Sequence, residues 1–301
     1  MSIFNVTTGA PFRVLLAAAA AAILTTTTAA RAQNESAFHE LETKYIFGSF
    51  TFGSSTGLEG EKAIEPDTEA NFGKRSGRYA AGETELELEH TPNQYVEIEL
   101  GPTFSYYNIS SVPGLDNRNM GGINGVEGTF RFLLVEPGPS RFAATLSIGP
   151  EFHSLDETSG DSVWNYGLET RIEADTELIK NRLYLAFNLF YEPETTTQVV
   201  GGSFGESTIG ASSALAFQIF PGVAIGVDVW YLRHYDGLGF NSFTGDALFV
   251  GPTLFWKIAP KVLLSTAWEA QVAGHEAGVT SALDLEDFSR QRAKLLLEFE
   301  F

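Results

Sequence analysis

The chain has 301 residues, with 38 acidic residues against 19 Lys and Arg, and its formal net charge at pH 7 is −19. This balance excludes nucleic acid as a partner, because binding to a phosphate backbone requires clustered Lys and Arg. The sequence contains no cysteine, which excludes disulfides and thiolate metal sites.

The first 32 residues have the pattern of a secretory signal peptide. Arg13 precedes an apolar run over residues 14–24, and Ala30-Arg31-Ala32 is an A-x-A cleavage pattern. The alternative is a membrane-anchoring helix, but the run is too short to span a bilayer. We therefore predict that residues 1–32 are removed on export and that residues 33–301 form one barrel domain.

The rest of the chain alternates between apolar and polar residues, which predicts β-strands. No segment after the signal peptide has 18 consecutive apolar residues, so no membrane-spanning helix is expected. Most of the alternating segments reach the roughly 9–11 residues that a tilted membrane strand needs. Before the last strand, the predicted strands are 41–53, 79–90, 94–106, 124–136, 141–153, 162–178, 182–192, 206–219, 223–235, 246–258 and 261–274.

The connections between these strands alternate between short turns and longer polar loops. Most of the short turns contain proline, which cannot donate to a strand ladder and so marks a chain reversal. The alternation predicts an even count of twelve strands, with both termini on the short-turn side. The segment 61–72 could form another strand, but we interpret it as part of the first long loop, and a barrel of fourteen strands is the alternative.

The last strand shows the clearest alternation and ends the chain on an aromatic residue. Its apolar face carries Ala293, Leu295, Leu297, Phe299 and Phe301, and the opposite face carries Lys294, Leu296, Glu298 and Glu300. A terminal aromatic residue on such a strand resembles the C-terminal assembly signal of Gram-negative outer-membrane β-barrels, carried here by Leu295, Leu297, Phe299 and Phe301.

This resemblance implies an all-β fold, a transmembrane antiparallel up-and-down β-barrel of about twelve strands. It also implies export to the cell outer membrane. The expected partners are then outer-membrane lipid, lipopolysaccharide and the outer-membrane assembly machinery. Aromatic residues at predicted strand ends, such as Tyr106, Trp164 and Tyr231, are typical of the interfacial girdles of such barrels.

The inward face of the predicted barrel is rich in carboxylates. The acidic residues predicted to line the lumen are Glu83, Glu85, Glu87, Glu97 and Glu99, and the basic residues are Arg131, Arg171, Arg290, Arg292 and Lys294. With a turn at residues 91–93, Glu87 would lie opposite Glu97, and opposed like charges destabilise a sheet unless water and cations surround them. The pattern indicates a conduit that prefers cations. The alternative is a lumen wall that is polar only because it must be hydrated.

Three histidines, His153, His234 and His275, fall at external strand ends with inward parity. Together with nearby carboxylates they are weak candidates for a metal site, because no metal-ligand spacing is present. His153 and Ser154, with Asp156, also resemble the His and Ser pair of outer-membrane lipid hydrolases. Such a site would have to face lipid, whereas His153 has inward parity.

These observations favour passive passage of small solutes through the barrel, with no cofactor, over an enzymatic function. A lipid-directed hydrolase and a structural or adhesive barrel are the alternatives. An unobstructed polar lumen would favour passage, whereas a lipid-facing Ser and His pair would favour the enzyme. The sequence does not specify the solute.

Overall fold

Twelve antiparallel strands close into one barrel, which confirms the predicted fold class. The computed structural model describes residue 38, residues 41–138 and residues 141–301. Each strand pairs with its neighbours in sequence, and β1 pairs with β12 to close the barrel. The strands are β1 (Lys62–Phe72), β2 (Arg78–Asn93), β3 (Val96–Ser110), β4 (Arg118–Val135), β5 (Phe142–Leu155), β6 (Ser162–Ile179), β7 (Leu183–Gln198), β8 (Ser203–Phe220), β9 (Val223–Asp236), β10 (Ser242–Ala259), β11 (Val262–Glu276) and β12 (Gln291–Glu300).

The connections differ in length between the two ends of the barrel. At one end the turns between strands include residues 94–95, 180–182, 221–222 and 260–261, and β1 starts and β12 finishes at this same end. At the other end the connections are mostly longer, up to residues 277–290 between β11 and β12. We name these the periplasmic end and the external end, since outer-membrane barrels have short periplasmic turns.

The predicted first strand is wrong, although the count of twelve is correct. Residues 41–53 contribute no strand, because Gly48 and Ser49 have φ angles of 97° and 68°, which an extended strand does not adopt. The wall strand is instead Lys62–Phe72, so the interpretation of residues 61–72 as part of the first long loop is wrong. Its Glu65 and Asp67 are buried toward the lumen.

The outward face of the barrel is apolar and carries aromatic residues near both ends. Leu88 and Leu100 are each 57% exposed in the middle of neighbouring strands, where a lipid-facing surface must exclude charge. Exposed aromatic side chains lie toward the two rims, Tyr106, Trp164, Tyr166 and Tyr231 toward the external end and Trp256 and Phe301 toward the periplasmic end. The described residues include no helix that is long and apolar enough to cross a membrane.

The last strand closes the barrel with the predicted orientation of its side chains. Leu295, Phe299 and Phe301 are exposed on the outward face, and Leu297 is half-buried there, whereas Leu296 is buried inside. Phe299 pairs with Ile64 of β1, and Leu297 pairs with Leu264 of β11. The role of these residues in assembly stays a prediction, and the predicted signal peptide, residues 1–32, lies outside the described residues.

Candidate functional site

Residues 41–55, which we call the inner segment, lie inside the barrel. The segment folds back on itself, since the amide of Gly53 donates to the carbonyl of Lys44 at 3.0 Å and the amide of Thr43 donates to Ser55 Oγ at 2.9 Å. At Gly48 the chain approaches β10 so closely that a Cβ would lie 2.6 Å from Thr253 Cβ. Glycine is required there both for this approach and for its positive φ.

The ammonium group of Lys44, in the inner segment, forms ion pairs with four carboxylates, and no other ammonium group among the described residues does so. Its Nζ lies 2.7 Å from Glu89, 2.7 Å from Glu97 and 3.9 Å from Glu65, and it also forms an ion pair with Glu99. The Lys44 side chain is only 2% exposed. Removing one partner from a buried ion pair leaves an uncompensated charge, so this contact holds the segment strongly.

The rest of the inner segment is bound by side chains from almost the whole circumference. Asn188 of β7 accepts from the amide of Phe52 and donates to its carbonyl, both at 2.8 Å, as a neighbouring strand would. Strands β1 to β9 and β11 each bind the inner segment through a hydrogen bond or an ion pair. The wall residues that make these contacts are Glu65, Glu89, Glu97, Arg131, Thr145, Asp175, Asn188, Ser212, Asp228 and Ser265.

Apolar packing closes the periplasmic half of the lumen. Tyr45, Ile46 and Phe47 are buried in one cluster, where they meet wall residues near the periplasmic strand ends, namely Tyr184, Ala186, Ala214, Ala216, Ala224, Phe255, Leu263 and Leu296. Phe50 belongs to a second cluster, with Trp230 and Phe249, nearer the middle of the barrel. The inner segment therefore obstructs the lumen by both polar and apolar contacts.

Above the inner segment, a cavity of about 430 Å³ extends to the external loops. Tyr45, Phe50 and Phe52 of the segment line its floor, and Glu157 and Phe288 of two external loops line its upper part. Thirteen carboxyl-bearing residues and five Lys or Arg residues line this cavity among the described residues.

The cavity has an acidic side and an aromatic side. Asp67 and Glu69 of β1 face it together with carboxylates from β2 to β7, whereas Phe190, Trp230 and Phe249 line the part formed by β7 to β10. Two arginines rest on aromatic rings at this boundary, Arg171 4.7 Å from the Phe52 centroid and Arg292 4.2 Å from the Phe50 centroid. Such contacts are typical of cation–π attraction.

The predicted acidic residues separate into two groups. Glu83, Glu85 and Glu87 line the cavity, whereas Glu97 and Glu99 are buried and form ion pairs with Lys44, and Glu99 lines the cavity as well. The predicted register between β2 and β3 is wrong, because β2 continues to Asn93 and the turn follows it, so that Glu89 pairs with Glu99. Three acid pairs lie directly opposite each other between β1 and β2, namely Glu65 with Glu87, Asp67 with Glu85, and Glu69 with Glu83, and they are not expected if residues 61–72 form a loop.

Four of the predicted basic residues lie inside the barrel, and each is paired. Arg131 bridges Glu97 at 3.1 Å and Glu173 at 2.9 Å. The other internal pairs are Arg171 with Glu169, Arg292 with Glu269, and Lys294 with Asp67. Arg290 differs from the prediction, since it is exposed in the loop before β12 rather than on the lumen wall.

The three histidines do not share one site in the described part of the chain. His153 is buried, and its Nε2 lies 3.0 Å from Glu127. His234 contacts Glu206 and Thr208, and the exposed His275 stacks on Phe243 with 6.0 Å between ring centroids. The hydroxyl of Ser154 donates to the carbonyl of Asn124 and not to His153.

The external loop of residues 277–290 folds over the mouth of the barrel. Phe288 packs against Phe249, and Lys74 Nζ donates to the carbonyl oxygens of Glu286 and Phe288 at 2.6 and 3.2 Å. Burial, together with the charge of Asp287, raises the pKa of Asp284 to about 6. Burial lowers the pKa of Lys74, and the charge of Asp287 partly opposes this shift.

Residues 40–301 match a family described as a family of unknown function, DUF6662. The chain belongs to this family. No curated protein matches the sequence.

The DUF6662 barrel is similar to the COG4313 outer membrane channel from Pseudomonas putida F1, with a TM-score of 0.58 and 10% identity over 82% of this chain and 98% of that chain. It is also similar to the beta domain of the Bordetella autotransporter Brka, with a TM-score of 0.52 and 12% identity over 81% of this chain and 100% of that chain. At these identities the likeness shows the fold alone, a closed antiparallel β-barrel.

Proposed function

We propose that this protein is an outer-membrane channel for passive passage of small solutes, and that the inner segment gates it. The observation that carries the proposal is the cavity of about 430 Å³ inside a closed barrel, which extends from the external loops to the inner segment. The barrel of the outer membrane channel from Pseudomonas putida F1 has a similar fold, which supports this class of function.

The solutes that suit the cavity are small cations with an apolar part. Carboxylates outnumber bases along the cavity, and low-dielectric walls strengthen their field on any ion inside. The aromatic side formed by Phe190, Trp230 and Phe249 offers ring faces, on which an organic cation gains a further attraction. A permanent anion would meet like charge over most of the wall.

The gating proposal rests on how the inner segment is attached. The backbone ladder of the barrel closes between β1 and β12 without the segment, so its departure would leave every strand pair intact. Residues 56–61 join it to β1 at the periplasmic end, where Gly60 donates to the carbonyl of Thr91. Movement of residues 41–55 therefore opens the periplasmic half without unfolding the barrel.

A reversible disulfide can test the gate. Thr51 Oγ1 lies 2.6 Å from Ser212 Oγ of β8, so cysteines at both positions would place two sulfurs close to bonding distance. The natural chain has no cysteine, so Thr51→Cys/Ser212→Cys would form a single defined link. In planar bilayers, we expect the oxidised double variant to lose conductance and to regain it when dithiothreitol is added.

The two single-cysteine variants are the matched controls, and dithiothreitol should not change their conductance. If the oxidised and reduced double variants conduct equally, the inner segment is not the gate. If neither the wild-type protein nor the reduced variant conducts, although both run as folded barrels, the channel function itself is rejected.

Ion preference needs a separate pair of variants. Glu85→Gln/Glu87→Gln removes two cavity carboxylates and spares those that bind Lys44. Glu59→Gln/Glu136→Gln removes the same charge from exposed positions outside the barrel wall. In a KCl gradient we expect cation selectivity that falls in the first variant only and that weakens in 1 M salt, where screening shortens to about 3 Å. Selectivity for chloride in the wild-type protein would contradict the acidic-cavity proposal.

A further inference from the structure

The external loop of residues 277–290 carries two aspartates, the buried Asp284 and the half-buried Asp287, whose side chains approach each other beside Gly245 of β10. Asp284 is 0% exposed, and its Oδ1 accepts hydrogen bonds from the amides of Glu286 and Asp287 at 3.1 and 3.2 Å. Its second oxygen, Oδ2, is buried and has no hydrogen-bond partner among the described residues. Oδ2 of Asp287 is likewise buried and has no hydrogen-bond partner among the described residues.

The two unpartnered oxygens converge on the space beside Gly245 of β10. A Cβ at Gly245 would overlap Asp284 Oδ2 and would lie 2.7 Å from Asp287 Oδ2. The absence of a side chain at this position therefore lets both carboxylates approach one point. Two ionised, buried carboxylate oxygens so close together repel each other strongly, and either a proton on one of them or a cation between them relieves the repulsion.

No Lys, Arg or His side chain forms an ion pair with either aspartate among the described residues, although Lys74 and Asp287 are near enough for their charges to interact. Lys74, the nearest cation of the β1–β2 loop, donates to backbone carbonyls of Glu286 and Phe288. Glu276 forms its ion pair with Arg75.

We propose that Asp284 and Asp287 bind a calcium ion that fixes this external loop over the barrel mouth. Oxygen atoms from carboxylates, hydroxyls and carbonyls are the ligands that calcium prefers, and its flexible coordination suits an irregular loop better than magnesium does. The loop lies on the external side, where calcium is not kept low as it is in cytosol. This site is separate from the Lys44 contact and does not depend on conductance.

Calorimetric titration of the folded full-length chain in detergent tests the site. Calcium is the probe, in about 0.15 M KCl to suppress binding to diffuse surface charge. We expect one site whose affinity falls by more than about tenfold in Asp284→Asn and in Asp287→Asn, because each substitution removes one charged ligand. Gly245→Ala should weaken binding as well, since it displaces both carboxylates sterically.

Glu286→Gln is the matched control, because Glu286 is exposed in the same loop and contributes only its backbone to the contacts described. It should bind calcium as the wild-type protein does. Binding that is equally weak in all variants, or absent from the wild-type protein, overturns the proposal. As a second readout, calcium should slow protease cleavage within residues 277–290 of the wild-type protein, and equal cleavage with calcium and with EDTA also overturns it.

Discussion

The ammonium nitrogen of Lys44 lies 2.7 Å from a carboxylate oxygen of Glu97, where the inner segment meets the acidic side of the lumen. The acid-rich strands therefore surround a cation that the protein itself supplies. Arg131 reaches the same Glu97 from β4 and also donates to the carbonyl oxygens of Gly53 and Ser55. One carboxylate is thus shared by two basic residues that hold the inner segment in place.

Replacing Lys44 by methionine should release the inner segment. The buried carboxylates around it would lose their cation, and removing one partner of a buried ion pair destabilises by about 3–5 kcal/mol. We expect proteinase K to cleave residues 41–55 faster in Lys44→Met, with fragments identified by mass spectrometry, and bilayer conductance to rise. Lys62→Met is the control, since Lys62 is exposed at the start of β1. Equal protection in Lys44→Met and wild type would show that this contact does not hold the segment.

Replacing Gly48 by valine should displace the segment by a steric route. The new Cβ would lie 2.6 Å from two atoms of Thr253, and its φ of 97° disfavours any side chain. Gly60→Val is the matched control, because Gly60 also has a positive φ, of 84°, but a Cβ there meets open space. In the Thr51→Cys/Ser212→Cys background, we expect Gly48→Val to lower the yield of disulfide well below that of Gly60→Val. Equal yields would mean that the close approach to β10 is dispensable.

The fold was predictable because lipid imposes a simple rule on every wall strand. Outward positions such as Leu88 and Leu100 must be apolar while inward positions tolerate charge, so strands and turns could be read from alternation. The first strand was predicted wrongly because residues 41–53 also alternate between apolar and polar residues. Only Gly48, Ser49 and Gly53 indicate that this segment is not an extended strand. The barrel has twelve strands whether residues 41–53 or Lys62–Phe72 form the first one. The even strand count therefore could not distinguish between the two segments.

The candidate site was less predictable, since it depends on contacts that are distant in sequence. Inward parity of Glu97 and Arg131 follows from their strands, but their common contact with Lys44 and the inner segment does not. One signal was present, because the acidic excess on β2 and β3 requires cations to offset it. Mobile ions satisfy that requirement as well as Lys44 does, so the acidic excess alone does not identify Lys44 as the cation.

Export should remove the first 32 residues. The apolar run over residues 14–24 followed by Ala30-Arg31-Ala32 predicts cleavage by signal peptidase and a mature N-terminus at or near Gln33. Intact-mass measurement of protein taken from the outer-membrane fraction checks this directly. Ala30→Arg/Ala32→Arg should block cleavage and leave the longer chain as a precursor. An uncleaved N-terminus on wild-type protein in that fraction would contradict the prediction.

Placing a charge on the lipid-facing side of β12 should impair assembly. Leu297 lies on the outward face and pairs with Leu264 of β11, so Leu297→Arg exposes a cation to lipid at the strand that closes the barrel. Charge on this face costs about 2–4 kcal/mol near the bilayer midplane and about 0–1 kcal/mol near the interface. Deleting Phe301, which is 67% exposed at the periplasmic rim, should lower assembly by removing the terminal aromatic residue.

The measurement for both variants is the amount of compact, heat-modifiable protein in unboiled gels of outer-membrane fractions. Leu58→Arg is the control, because Leu58 is 79% exposed in the connection before β1 and lies outside the barrel wall. It carries the same substitution and should assemble in wild-type amounts. Wild-type amounts of compact protein in both variants would disprove the assembly role of residues 295–301. A loss in Leu297→Arg alone would exclude the terminal Phe301 from that role and leave it to the side chains within β12.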